Sequence, residues 1–327
     1  MSTTHDLAPL LTTSAAGPIH PLPVQSVTTL PAAPVPQPVV VGVDGSAASD
    51  RALEWAIDEA HRRGLPIRLV HAREVGAYNT STLLSDAAAW EDPQWVLTSA
   101  HERVTAVAPE LALVEDDVLG IPASTALISA SARADTVVVG ARQHGAVGAA
   151  FLGSTSLRVA SHAACPVVVV RDLPEQATGT PRIVVGVDGS ATSDQALAYA
   201  FDRASALHVP LTIVHAWPGD LTVEVMRVAD AVADEVRAAT ANAQRTAIEE
   251  QIAPWGARFP DVAVHVVVPA VKPMQALVEE SATASLVVVG SRGLGSLRGM
   301  LLGSVSEGVL HHAHCPVAVV RPAAPGD

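Results

Sequence analysis

The chain of 327 residues holds a single lysine, Lys272, only two cysteines, three phenylalanines, and no Gly-Lys pair anywhere. Without Gly-Lys there is no Walker A loop, which excludes P-loop motors and ordinary P-loop GTPases, because that loop places its lysine on the outer phosphates. Cys165 and Cys315 each precede a proline. Two such thiols build neither a disulfide scaffold nor a zinc framework and read as reduced core residues. No apolar run approaches the roughly 18 residues of a membrane span. Positive charge is also scarce, with 33 acidic against 20 basic residues and a net charge of −13. That balance repels nucleic acid and anionic membranes, so neither is expected as a partner, and any phosphate must be held locally. The first Lys or Arg is Arg51. Residues 1–37 therefore lack the basic start of a secretory signal and the arginines of a transit peptide. Rich in Pro, Ser, Thr and Ala, they read as a disordered tail, and a cytoplasmic location is expected.

What the chain does have, it has twice. Gly42-Val-Asp44-Gly-Ser46 returns as Gly186-Val-Asp188-Gly-Ser190, and Val70-His71-Ala72 returns as Val214-His215-Ala216, both displaced by 144 residues. Farther on, Gly153 and Gly303, and Cys165 and Cys315, are displaced by 150. The second copy thus carries six extra residues between His215 and Gly290. Repetition at this period means two tandem copies of one domain. We expect a tail over 1–37, a first domain over 38–171, a linker over 172–181, a second domain over 182–321 and a short tail over 322–327.

Within each copy, continuous apolar runs alternate with helical patterns. Val39–Val43 and Ile183–Val187 are buried-strand runs, each followed by Asp-Gly-Ser and an Ala-rich helix. Further strands are expected at Ile67–His71, Leu111–Val118, Thr136–Val139 and Val167–Val170, with counterparts at Leu211–His215, Val262–Val268, Ser285–Val289 and Val317–Val320. The intervening helices include one within Thr222–Ile252. This order predicts α/β architecture: two tandem, Rossmann-like, open five-stranded parallel sheets with helices on both faces. The last strand of each copy would be an apolar edge in need of cover, which favours pairing the two within one chain. A homodimer of such chains is a further expectation.

The chemistry gathers after the fourth strand. Gly290, Gly293, Gly303 and Ser304 follow Ser285–Val289 with two residues between the first glycines and nine before the last. A glycine loop between a buried strand and a helix start exposes backbone N–H groups to phosphate. Ser304 and Ser154 are placed to cap that helix. Asp188 and Asp44 close the first strands, and meet the loops if strands one and four are neighbours, at the sheet edge where such folds bind ligands. Alternatively the carboxylates serve Asp-Gly-Ser turns ahead of the helices. In the first copy Gly140, Gly153 and Ser154 keep the spacing, but Gln143 stands where the second glycine belongs. If that position needs a positive φ or close backbone approach, Gln143 weakens the first site, although its amide could also reach phosphate.

Together these motifs resemble the universal stress protein family, in its tandem, ATP-binding form. The resemblance implies an ATP site in the second domain formed by Asp188, Gly290, Gly293, Gly303, Ser304 and Val305, with the Ala216 backbone near adenine. It implies matching positions Asp44, Ala72, Gly140, Gly153, Ser154 and Thr155 in the first domain, Mg2+ accompanying ATP, and a regulatory role in stress survival. Arg298 is a candidate phosphate contact, whereas Arg142 and Arg292 read as solvated surface residues. His71 and His215 read as packed, hydrogen-bonded side chains. His311, His312 and His314 beside Cys315 match no zinc spacing, so no protein-borne metal site is expected. No catalytic constellation emerges, which favours binding with slow or no hydrolysis. An ATP-hydrolysing or adenylate-transferring enzyme and a ligand-free dimerisation module stay as alternatives.

Overall fold

In a computed structural model, residues 36–73, 94–141, 152–171, 181–218, 230–295 and 301–322 are described. They form ten strands and eight helices. The first half holds β1 (Val39–Gly42), α1 (Ala47–Arg63), β2 (Ile67–Arg73), α2 (Gln94–Val107), β3 (Leu113–Leu119), α3 (Ala123–Ser131), β4 (Thr136–Gly140), α4 (Ser154–His162) and β5 (Val167–Val170). The second half repeats the order with β6 (Ile183–Gly186), α5 (Ala191–Leu207), β7 (Leu211–Val214), α6 (Asp230–Arg258), β8 (Val264–Val267), α7 (Pro273–Ser281), β9 (Leu286–Gly290), α8 (Ser304–His312) and β10 (Val317–Val320).

All ten strands join one sheet in the order β3-β2-β1-β4-β5-β10-β9-β6-β7-β8. Strands one and four of each half are parallel neighbours, with Val41 opposite Val138 and Val185 opposite Val288. The halves meet at an antiparallel pair of last strands, where Val168 faces Ala318. Each apolar edge thereby covers the other, as their composition requires. Successive strand residues serve opposite faces, with Val39 and Val41 in the core beneath α1 and α5, and Val40 in the core beneath α3, α4, α7 and α8. Both faces are covered, which is why the strands read as continuous valine runs.

The joint is fastened reciprocally. Arg171, just past β5, donates to the Leu310 carbonyl in α8, and Arg321, just past β10, donates to the Ser161 carbonyl in α4. Each arginine satisfies an orphan carbonyl at the end of the other half's helix.

Element ends depart from expectation most in α6, which runs through Pro254 to Arg258 rather than stopping near Ile252. A proline inside a helix loses one hydrogen bond. Here the final turn is held by stacking, because Phe201 lies 5.9 Å from Trp255 and 5.6 Å from Phe259 between ring centroids. Among the described residues no helix is long and apolar enough to cross a membrane.

Candidate functional site

At the carboxyl end of β6 the chain must turn sharply into α5, and three consecutive residues arrange it. Asp188 Oδ1 accepts from the Ser190 amide at 3.1 Å, Gly189 takes the left-handed φ of 80° that the turn needs, and Ser190 caps α5 by accepting from Ser193 N at 3.1 Å. The turn reading of Asp188 is therefore correct, but it uses only one oxygen. Oδ2 reaches across to β9's loop and accepts from the Leu294 amide at 2.8 Å. This carboxylate ties the first strand's turn to the glycine loop. Burial pushes its acidity the wrong way, yet the bonds from Ser190, Leu294 and Ser193 hold Asp188 below the ordinary carboxylate range.

The three loop glycines do different things. A Cβ at Gly290 would lie 2.9 Å from Thr192 Cγ2 and 3.2 Å from the Thr192 carbonyl carbon and oxygen, so this glycine lets α5 pack against the end of β9. A Cβ at Gly293 would lie 2.3 Å from Asp188 Oδ2. Its backbone is not left-handed, so of the two reasons for a glycine here, positive φ and close approach, close approach applies, and it is Asp188 that comes close. Gly303 donates its N–H to Ser291 O at 2.8 Å and so closes the loop at the start of α8.

Gly303 is also the N-cap residue of α8, with φ −79° and ψ 155° and no side-chain cap. Ser304 is thus not the cap; it stands one position inside the helix and is exposed. Ser306, which repeats Ser156, instead donates to the Gly290 carbonyl at 2.6 Å. The first amides of α8 consequently lack a side-chain acceptor and keep the anion affinity of a helix N-terminus.

These elements enclose a cavity of about 450 Å³. Asp188, Ala216, Gly290, Gly293, Gly303, Ser304 and Val305 all line it, together with Arg292, Val214, Leu277, Val289 and Pro273. The strand order β9-β6-β7 separates its apolar end, at Val214 and Ala216, from the glycine loop by two strand spacings, roughly 10 Å. Arg292, expected to be a solvated surface residue, is instead the one cation among the described lining residues. Sequence reasoning also passed over Ser193 and Ser306, although Ser49 and Ser156 repeat them. Leu277 and Pro273 are contributed by α7 from the neighbouring crossover, and no spacing rule connects them to the loop.

The first half repeats much of this. Ser46 N donates to Asp44 Oδ1 at 3.0 Å, Gly45 has φ 76°, and Ser156 Oγ donates to the Gly140 carbonyl at 2.8 Å. A Cβ at Gly140 would stand 2.3 Å from the Ala48 backbone oxygen. Gly153, not Ser154, is the N-cap of α4, Ser154 is exposed, and Ala72 and Thr155 are half-buried. Gln143, Arg142 and Arg298 lie outside the described residues. His71 Nδ1 lies 2.8 Å from Val43 O and His215 Nδ1 3.0 Å from Val187 O, so both histidines brace strand ends. Among the described residues no group of three or more His, Cys, Asp or Glu is placed to hold a metal ion.

Comparison with known proteins follows the same two-part division. The family model described as "Universal stress protein family" matches residues 36–171 and again 179–321. The universal stress protein Rv2005c of Mycobacterium tuberculosis is 37% identical over 294 residues, covering 86% of this chain and 96% of that protein. A universal stress protein of Mycolicibacterium smegmatis is 37% identical over 295 residues, covering 87% and 97%. In fold, the chain is similar to a universal stress protein from Archaeoglobus fulgidus, with a TM-score of 0.59 at 23% identity over 86% of this chain and 97% of that one.

Proposed function

The chain belongs to the universal stress protein family, and from that premise we propose that its second half binds an adenine nucleotide, ATP in the first instance, as a regulatory ligand that is turned over slowly or not at all. One observation carries this reading. The described wall of a single cavity joins a glycine loop, an uncapped helix start, one cation and one carboxylate at one end to an apolar floor at the other. Cavities of roughly 300–1,000 Å³ with a few convergent polar groups are typical of small-ligand sites.

Each part has a role that its chemistry suits. The N–H groups of Ser304 and Val305 at the start of α8 would take phosphate oxygens, supported by Arg292. Val214, Ala216 and Leu277 would pack the base. Asp188 would meet the ribose while holding the loop through Leu294. Both Asp188 oxygens already accept backbone amides. Asp188 is the one carboxylate among the described lining residues and no histidine is among them, so the reading gives it a positioning role and brings Mg2+ in on the phosphates.

The first half, with Gln143 in place of the second glycine, is proposed as the weaker site. Native mass spectrometry of gently purified protein, followed by calorimetric titration with ATP and Mg2+, tests both statements. One tight site per chain is expected. Two equal sites would remove the asymmetry, and absence of any adenine-nucleotide binding would remove the proposal.

A further inference from the structure

Two contacts between the halves join residues that occupy the same position in the two repeats. Glu59 and Arg203 are 144 residues apart, the displacement that relates α1 to α5, two helices of equal length. Glu59 Oε1 lies 2.8 Å from Arg203 Nε, as an ion pair rather than an in-line hydrogen bond. Val168 and Ala318, 150 residues apart, face each other where β5 meets β10, flanked by the reciprocal pairs Val169 with Val317 and Val167 with Val319. In a twofold interface a position that meets its own equivalent lies on the axis. Val168 and Ala318 pack in the same core as α1 and α5, so both axial pairs sit on one face of the sheet.

We propose that these axial positions make the joining face selective for an unlike half: the first-half surface accepts a second half and rejects another copy of itself, and the converse holds for the second. In a pair of identical halves each axial residue meets itself. Two first halves would bring Glu59 against Glu59, and two second halves Arg203 against Arg203. Glu59 is 3% exposed and Arg203 1%, so these like charges would face each other out of water. The apolar pair changes in volume too, since Val against Val adds two carbon atoms and Ala against Ala removes two relative to Val with Ala. Further bonds from Arg203 to Asp135 at 2.9 Å and Thr136 at 2.8 Å, both on the first half, make the match directional. The halves' valine edges, taken alone, are equally good templates for like and unlike partners. The axial charge and volume supply the choice, so association between whole chains must use another surface.

Two experiments test this. A protease site inserted within residues 172–180 allows the folded chain to be cut, and the cut protein is followed by native mass spectrometry after incubation in sub-denaturing urea. Every pair is expected to contain one first half and one second half; like pairs above about one in ten would overturn the proposal. If the cut protein precipitates, the intact chain decides. E59R and R203E should each lower the unfolding midpoint by about 10 °C. The neutral variants E59Q and R203M should each lose less than half as much, because they leave the remaining charge its other partner, Asp135 for Arg203 and Arg63 for Glu59, without setting like charges on the axis. Equal losses for the neutral and the like-charge variants would overturn the proposal.

Discussion

Replacing Gly293 by alanine separates the glycine loop's role in the site from its role in the fold. The added methyl carbon would stand 2.3 Å from Asp188 Oδ2 and 3.4 Å from the carboxyl carbon. An ordinary contact needs the oxygen about 1 Å farther away. Asp188 must then swing, and its 2.8 Å bond from the Leu294 amide is lost. Hydrogen bonds to charged acceptors contribute about 1.5–3 kcal/mol, and this one is half-exposed, so about 1 kcal/mol of stability is at stake. That corresponds to a midpoint shift of about 2–4 °C. In the proposed ligand site, by contrast, both the loop amide and the carboxylate move, and a combined loss near 1.4 kcal/mol should weaken ATP about tenfold. Calorimetric titration with ATP and Mg2+, paired with thermal unfolding of the free protein, reads the two effects separately. Gly290→Ala is the control, since its methyl meets the Thr192 backbone at 3.2 Å and should cost about 1–3 kcal/mol of stability. ATP affinity of G293A within twofold of the natural chain would refute the reasoning.

Four further outcomes are expected. Asp188→Ala removes the link between the first-strand turn and the loop and should weaken ATP at least tenfold by titration, with no second tight site taking over. Asp135 is raised by burial, but the bond from Arg63 and the charges of Arg203 and Arg63 outweigh this and hold it at about 2 against an ordinary 3.8. A depressed carboxyl stabilises the fold above its unfolded value and loses that contribution as pH falls toward the folded one. The unfolding free energy from urea titration should therefore drop by about 2 kcal/mol between roughly pH 5 and pH 2, and Asp135→Asn should flatten that limb; Glu59, raised by burial, works in the opposite sense. Burial pushes the thiols of Cys165 and Cys315 up to about 12, so an alkylating reagent at pH 8 should label neither until the chain unfolds. His208 closes α5 with a left-handed φ of 53° where the first half uses Gly64 at 61°. His208→Gly should raise the unfolding midpoint by the equivalent of about 0.5–1 kcal/mol.

Much of the candidate site could be read from the sequence, but with its parts assigned to the wrong tasks. The spacing of Gly290, Gly293 and Gly303 located the loop, yet gave no reason to separate the glycine that packs under Thr192 from the one that makes room for Asp188. Ser304 looked like a cap because capping residues are recognised by type; the backbone makes Gly303 the cap and frees the hydroxyl. Arg292 sits beside a buried strand, where most arginines reach solvent, and only the path of the loop turns it into the wall.

The sequence by itself determined the repeat, the strand and helix order, the valine edges that had to be covered, and the residues closing the first and fourth strands. Those are local or periodic properties, and a doubled pattern reports them twice. Which side chains meet depended on the tertiary structure. The 2.8 Å bond between Asp188 and Leu294 spans 106 residues, and the Glu59–Arg203 pair joins repeats that look interchangeable in their motifs. A contact on a twofold axis depends on where the axis falls, and that is set by the packing of β5 on β10 rather than by either repeat alone.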